Sequence, residues 1–113
     1  MASKRMFSEI VIETEDFLGL SAEAQVLYLH LNMRADDDGF LNNLTRLISY
    51  YEADPKYIDE LENKGYLIKF DNSNCVIRHW KQNNFIQKIK YRPSSNTNKE
   101  KVELINNVYE LIK

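Results

Sequence analysis

Between positions 78 and 92 the chain carries five cations, Arg78, Lys81, Lys88, Lys90 and Arg92, and no acid. Trp80, Phe85 and Tyr91 are set among them. Lys and Arg neutralise phosphates and aromatic faces stack on bases or ribose, so these residue types at this density suit a polyanion. The rest of the chain sharpens the contrast. Residues 1–77 hold seven basic and fourteen acidic side chains, a net of −7; the stretch 78–92 adds +5; residues 93–113 balance at three against three. One edge of the molecule is therefore expected to meet nucleic acid. A charge run is often only a solvated face, but this one lacks the compensating acids of Lys99-Glu100-Lys101-Val102-Glu103. Trp80 is expected to bury its ring, and Phe85 with Ile86 to anchor the stretch. Arg78, Lys81, Lys88, Lys90 and Arg92 are the expected phosphate contacts, the last three forming the free half.

The elements that must position this stretch can be read from periodicity and caps. Residues 6–20 mix short apolar pairs with acids and suggest an irregular or partly extended arm. Ser21 is a good N-cap, followed by Ala24, Leu27, Tyr28 and Leu31 at helical spacing. Val26, Leu29 and Met33 form a second apolar strip on that helix, covered either by the arm or by another subunit. Arg34-Ala35-Asp36-Asp37-Asp38-Gly39 ends the helix in a turn. Phe40-Leu41 suits a very short strand, and Leu44, Leu47, Ile48 and Tyr51 mark a second helix capped by Asn42 or Asn43. Asp54-Pro55 starts a third, running to about Lys64 with Gly65 as its stop. Residues 66–70 and 75–80 form a hairpin across Asp71-Asn72-Ser73-Asn74. Residues 93–98 are expected to be a linker. Val102, Ile105, Tyr109 and Ile112 then recur at heptad-like spacing, predicting a last amphipathic helix over 99–113 that begins an oligomerisation or linker region. That helix has no C-cap before the sequence ends, as expected of the N-terminal piece of a longer protein.

The order helix, short strand, helix, helix, hairpin predicts an α+β fold, mostly α. It fits a winged helix-turn-helix with a three-helix core, a β-hairpin wing and an extra C-terminal helix. Residues 1–92 would form this domain together with its N-terminal arm. The third helix would then read bases through Lys56, Tyr57, Asn63 and Lys64. Its outward positions also include Asp59, Glu60 and Glu62, three acids against two bases, which is poor for affinity.

Other candidate chemistry fails on its own terms. A calcium-loop register over Asp36, Asp38 and Gly39 puts Arg34 at the first ligand position and Thr45 where the bidentate Glu belongs. A turn plus helix cap is the better reading, with the acids holding Arg34 or Arg46. His30 and His79 each lack a second histidine nearby, and Cys75 is the only cysteine, which excludes a disulfide framework and fits a reducing compartment. No phosphate loop, nucleophile–base pair or paired carboxylates can be found, so no catalytic residue, metal or cofactor is expected. With 113 residues, 43% of them hydrophobic, one small domain has enough apolar mass for a core. No apolar run approaches the ~20 residues that span a bilayer.

The segment His30-Leu31-Asn32-Met33-Arg34-Ala35-Asp36-Asp37-Asp38-Gly39-Phe40-Leu41-Asn42-Asn43 resembles the signature of phage replisome organisers, the DnaD-like replication initiation proteins of phages infecting Gram-positive bacteria. Arg5-Met6-Phe7-Ser8, Ile77-Arg78-His79-Trp80 and the run through Tyr91-Arg92-Pro93 also match, in the right order, so the resemblance covers roughly residues 4–93. It implies an N-terminal winged helix that binds the phage replication origin in the cytoplasm of the bacterial host. Further regions of such proteins oligomerise and recruit the host helicase-loading proteins. Two other readings stay open: a homo-oligomerising interaction module of a DnaD-like primosomal protein, and a small winged-helix transcription regulator.

Overall fold

A computed structural model describes residues 5–112; the first four residues of the expected domain and Lys113 of the expected last helix lie outside them. The fold is α+β, with more of the chain in helices than in strands. In chain order the elements are α1 (Glu9–Ile12), α2 (Glu15–Leu18), α3 (Ala22–Arg34), β1 (Phe40–Leu41), α4 (Leu44–Tyr50), α5 (Lys56–Asn63), β2 (Leu67–Lys69), β3 (Cys75–Ile77) and α6 (Trp80–Asn83), then a 3-10 turn (Thr97–Lys101), β4 (Val102–Ile105) and β5 (Val108–Leu111).

The longest helix, α3, begins where the sequence places it. Ser21 Oγ accepts from Ala24 N at 3.1 Å, and Ala24, Leu27, Tyr28 and Leu31 are buried along one face. Glu60, on α5, holds this cap from outside: its carboxylate accepts from Ser21 N and from Ser21 Oγ, both at 2.7 Å. These bonds keep the Glu60 carboxyl below its ordinary range. Phe17, Tyr28 and Tyr66 meet edge to face with centroids 5.2 to 5.7 Å apart, joining α2, α3 and the start of the hairpin.

β3 is the central strand of a three-stranded antiparallel sheet ordered β1-β3-β2, with Phe40 opposite Val76 and Ile68 opposite Val76 on the other side. All three β3 residues are buried, as a strand with a neighbour on each side should be. In the turn before it, Asp71 Oδ1 accepts from Ser73 N and Asn74 N, each at 2.8 Å. Ser73 O in turn accepts from Leu44 N at 3.0 Å. The hairpin turn therefore caps α4, and Asn43 makes no side-chain cap bond. Asp54 Oδ1 accepts from Lys56 N at the start of α5.

Four expectations are overturned. The arm is not extended: Ser8 and Thr14 cap two four-residue helices, too short to show any periodicity in sequence. Nor does it cover the second strip of α3, since Val26 is 53% and Met33 51% exposed. The helix expected over 99–113 is a 3-10 turn followed by the hairpin β4–β5. Asn106 and Asn107, with φ of 53° and 65°, form the two-residue turn, because a tight hairpin needs left-handed backbone that Asn tolerates. Residues 93–98 are no linker, for Ser94 and Asn98 are buried against the rest of the fold.

Candidate nucleic-acid interface

The centre of this region is the acidic turn between α3 and β1. Asp36 Oδ1 accepts from Asp38 N and Phe40 N, both at 2.9 Å, which closes the turn on itself. Gly39 follows at φ +91°, with Trp80 so close that a Cβ there would stand 2.6 Å from the Trp80 Cβ. Only glycine combines that backbone with that approach. Trp80 is fully buried, and its indole N–H donates to Asp37 O at 3.0 Å.

Asp38 gathers residues distant in sequence. Its Oδ1 accepts from Lys81 Nζ at 2.6 Å and from the Tyr91 hydroxyl at 2.7 Å; its Oδ2 accepts from Ser94 N at 2.8 Å. Its backbone carbonyl accepts from the Tyr109 hydroxyl at 2.7 Å. Burial alone would raise the Asp38 carboxyl, but the bonds from Lys81, Ser94 and Tyr91 outweigh it and hold it below the usual carboxylate range. Burial and the Asp38 charge push the Tyr91 hydroxyl up to about 12. Asp37 Oδ2 accepts from Arg92 N at 3.0 Å, and Asp36 Oδ2 accepts from the Ser94 hydroxyl. The acids thus clasp residues 81–94 to the fold, and not Arg34 or Arg46. Arg34 instead donates to the Tyr51 hydroxyl and lies over the Tyr50 ring.

The five expected phosphate contacts separate. Arg78 pairs with Glu110 and also donates to Tyr109 O at 3.2 Å and Gly65 O at 3.3 Å. Lys81 pairs with Asp38 and lies over the Tyr91 ring at 5.2 Å. Both are engaged inside the fold. Among the described residues the side chains of Lys88, Lys90 and Arg92 form no ion pair, and all three are exposed.

These three lie on a finger, residues 85–92, fixed at both ends. At its base Asn83 accepts from Ser8 N at 2.9 Å and donates to the Tyr28 hydroxyl at 2.9 Å, while Asn84 accepts from Met6 N at 2.8 Å. At its far end Tyr91 and the Arg92 backbone are held by the acidic turn. Between them Lys90 N donates to Gln87 O at 2.8 Å, making a single turn with Lys88, Ile89 and Lys90 at its tip. The expected anchors are corrected here. Phe85 is 77% exposed; the asparagines and Tyr91 do the anchoring, while Phe85 and Ile86 border a recess beside Trp80.

The expected base-reading residues lie along α5 and at its C-cap. The Tyr57 hydroxyl donates to Glu23 Oε2 at 3.1 Å, turning that ring toward α3, and Lys56 Nζ lies 5.2 Å from the Tyr57 centroid. Asn63 and Lys64 border a recess shared with Glu15 and Asp16. Two acids, Asp59 and Glu62, are exposed on α5 with Lys56 and Asn63. His79, half-buried against Tyr66, has its pKa lowered by burial and by the Arg78 charge. Cys75 is buried, which pushes its thiol up to about 12.

Among the described residues no helix is long and apolar enough to cross a membrane, and no group of three His, Cys, Asp or Glu is placed to hold a metal ion. Set against known proteins, no family model matches the chain, and neither a curated protein nor a solved structure does.

Proposed function

We propose that this chain is a winged-helix DNA-binding domain, of the kind that initiates phage replication, and that it holds duplex DNA chiefly through its finger. In this reading α4 and α5 are the helix-turn-helix, the β2–β3 hairpin is the wing, and α3 is the supporting helix. The element order and the β1-β3-β2 sheet agree with that architecture. The observation that carries the function is the finger itself: three exposed cations, unpaired among the described residues, on a segment anchored at both ends. An anchored segment loses little freedom on binding, so its phosphate contacts keep more of their gain. Helix α5 contributes selectivity at most, because Asp59 and Glu62 repel phosphate from its exposed face.

A salt titration of duplex binding tests this. Three phosphate contacts give a slope of log K against log salt of roughly −2.7. Replacing Lys88, Lys90 and Arg92 together by Ala should abolish that slope, and an unchanged slope would clear the finger. Absence of binding to any duplex at low salt removes the DNA reading altogether. Comparing phage-origin duplexes with random ones then tests the replication role.

One observation favours a second reading, an interaction module. Val26, Leu29 and Met33 on α3 and Tyr50 on α4 are all exposed, an apolar surface of the sort that protein partners cover.

A further inference from the structure

Between α3 and the turn joining α4 to α5 lies a groove of about 470 Å³. Val26, Leu27 and Tyr51 give it apolar walls, and Glu23, Glu52 and Asp54 supply carboxylates; among the described residues no Lys or Arg lines it. Arg34 and Lys56 lie on nearby tyrosine rings without lining it. Among the described residues none of the three carboxylates is in an ion pair. The groove therefore suits a segment that is apolar at its tip and cationic on its flanks.

The same molecule presents such a segment. The finger carries Lys88, Lys90 and Arg92 with no acid, and its tip residue Ile89 is 90% exposed, with Phe85 exposed behind it. No finger residue lines the groove of its own chain. We propose that the finger of one copy inserts Ile89 into the groove of a second copy, its cations pairing with Glu23, Glu52 and Asp54. In the head-to-tail form of this contact each copy in a dimer keeps one free finger or one free groove, and assembly grows with concentration; a two-fold pair that fills both grooves stops at two chains. Covering Ile89 and Val26 together removes apolar surface from water, and the charges set the polarity of the contact. This inference rests on the interaction reading and names both of its faces.

Two exposed side chains allow a decisive test by light scattering with the whole chain. The wild type should exceed the 13.4 kDa of one chain as its concentration rises, and should fall back toward it in high salt. Val26→Arg, which blocks the groove, and Ile89→Asp, which spoils the finger, should each remain at 13.4 kDa. Mixed together they should form a two-chain species and nothing larger, because one intact finger and one intact groove remain. Circular dichroism checks the fold of each variant; if Val26→Arg unfolds, Glu23→Lys replaces it. A wild type that is monomeric throughout overturns both this contact and the homo-oligomerising form of the interaction reading. Assembly that survives in Ile89→Asp, or two monomeric variants that fail to associate when mixed, overturns this contact alone.

Discussion

The basic stretch divides near Asn84 into two regions of nearly equal length and opposite behaviour. Before it, Arg78 and Lys81 are paired with Glu110 and Asp38, and Trp80 is buried. After it, Lys88, Lys90 and Arg92 reach into solvent, and so do Phe85 and Ile89. Composition alone does not separate the two. The difference lies in what each faces: the first half returns under the acidic turn, whereas the second spans a gap between two anchors. A positive charge in this molecule is structural where a carboxylate from a distant segment meets it, and available where none does.

That contrast can be broken most strongly at Gly39. Gly39→Ala combines left-handed backbone with a Cβ driven into Trp80, and should lower stability by about 3 kcal/mol in urea unfolding. A loss well under 1 kcal/mol would mean that the turn and the indole separate easily, and that the first half is not fixed. Asp38→Ala comes next, at about 2–3 kcal/mol, because Lys81 and two further donors lose their acceptor. It should also loosen the far anchor of the finger, read as faster amide exchange at Tyr91 and Ser94. The triple change of Lys88, Lys90 and Arg92 to Ala is the opposite pole: the urea midpoint should stay where it is while the salt slope of DNA binding collapses.

Smaller effects come from pH. The Asp38 carboxyl is lowered by folding, so its contribution is fully present above the ordinary value of 3.8 and is lost as pH falls through the folded pKa. Asp38→Asn should flatten that acid limb. His79 is also lowered, from 6.5, so the unfolded chain takes up its proton first and stability declines as pH drops below 6.5. His79→Gln should remove this gentle slope, and a wild-type midpoint independent of pH between 5 and 7 would contradict the half-buried placement of the ring.

Local signals in the sequence were sufficient wherever an element depends on its own neighbours. Ser21 with the Ala24, Leu27, Tyr28 and Leu31 face specifies α3, Asp54-Pro55 specifies the start of α5, and the polar turn 71–74 specifies the β2–β3 hairpin. The C-terminal hairpin is hidden from periodicity because seven apolar residues between Val102 and Ile112 satisfy helical spacing and strand alternation alike. The deciding signal was Asn106-Asn107, two residues suited to left-handed backbone between short apolar runs. The clasp could not be read locally, since Asp38 meets partners 43 to 71 positions away. Its one visible trace was charge: three adjacent acids in a chain that also holds one acid-free basic stretch. The finger anchors left even less, as the side chains of Asn83 and Asn84 fit a loop as readily as a buried bond.

The clasp also bears on the order in which the fold can be completed. The helices and the β2–β3 hairpin close over short stretches of chain, but the Asp38 side chain is satisfied only when Lys81, Tyr91 and Ser94 arrive, and its carbonyl only when Tyr109 does. Contacts of such sequence separation form slowly, because the intervening chain must first be drawn together. A state with α3, α4, α5 and the three-stranded sheet in place would hold Asp37 and Asp38 open to water, with the finger untethered. In stopped-flow refolding, burial of Trp80 should therefore lag behind the gain of helix, and Asp38→Ala should slow the later phase more than the earlier one.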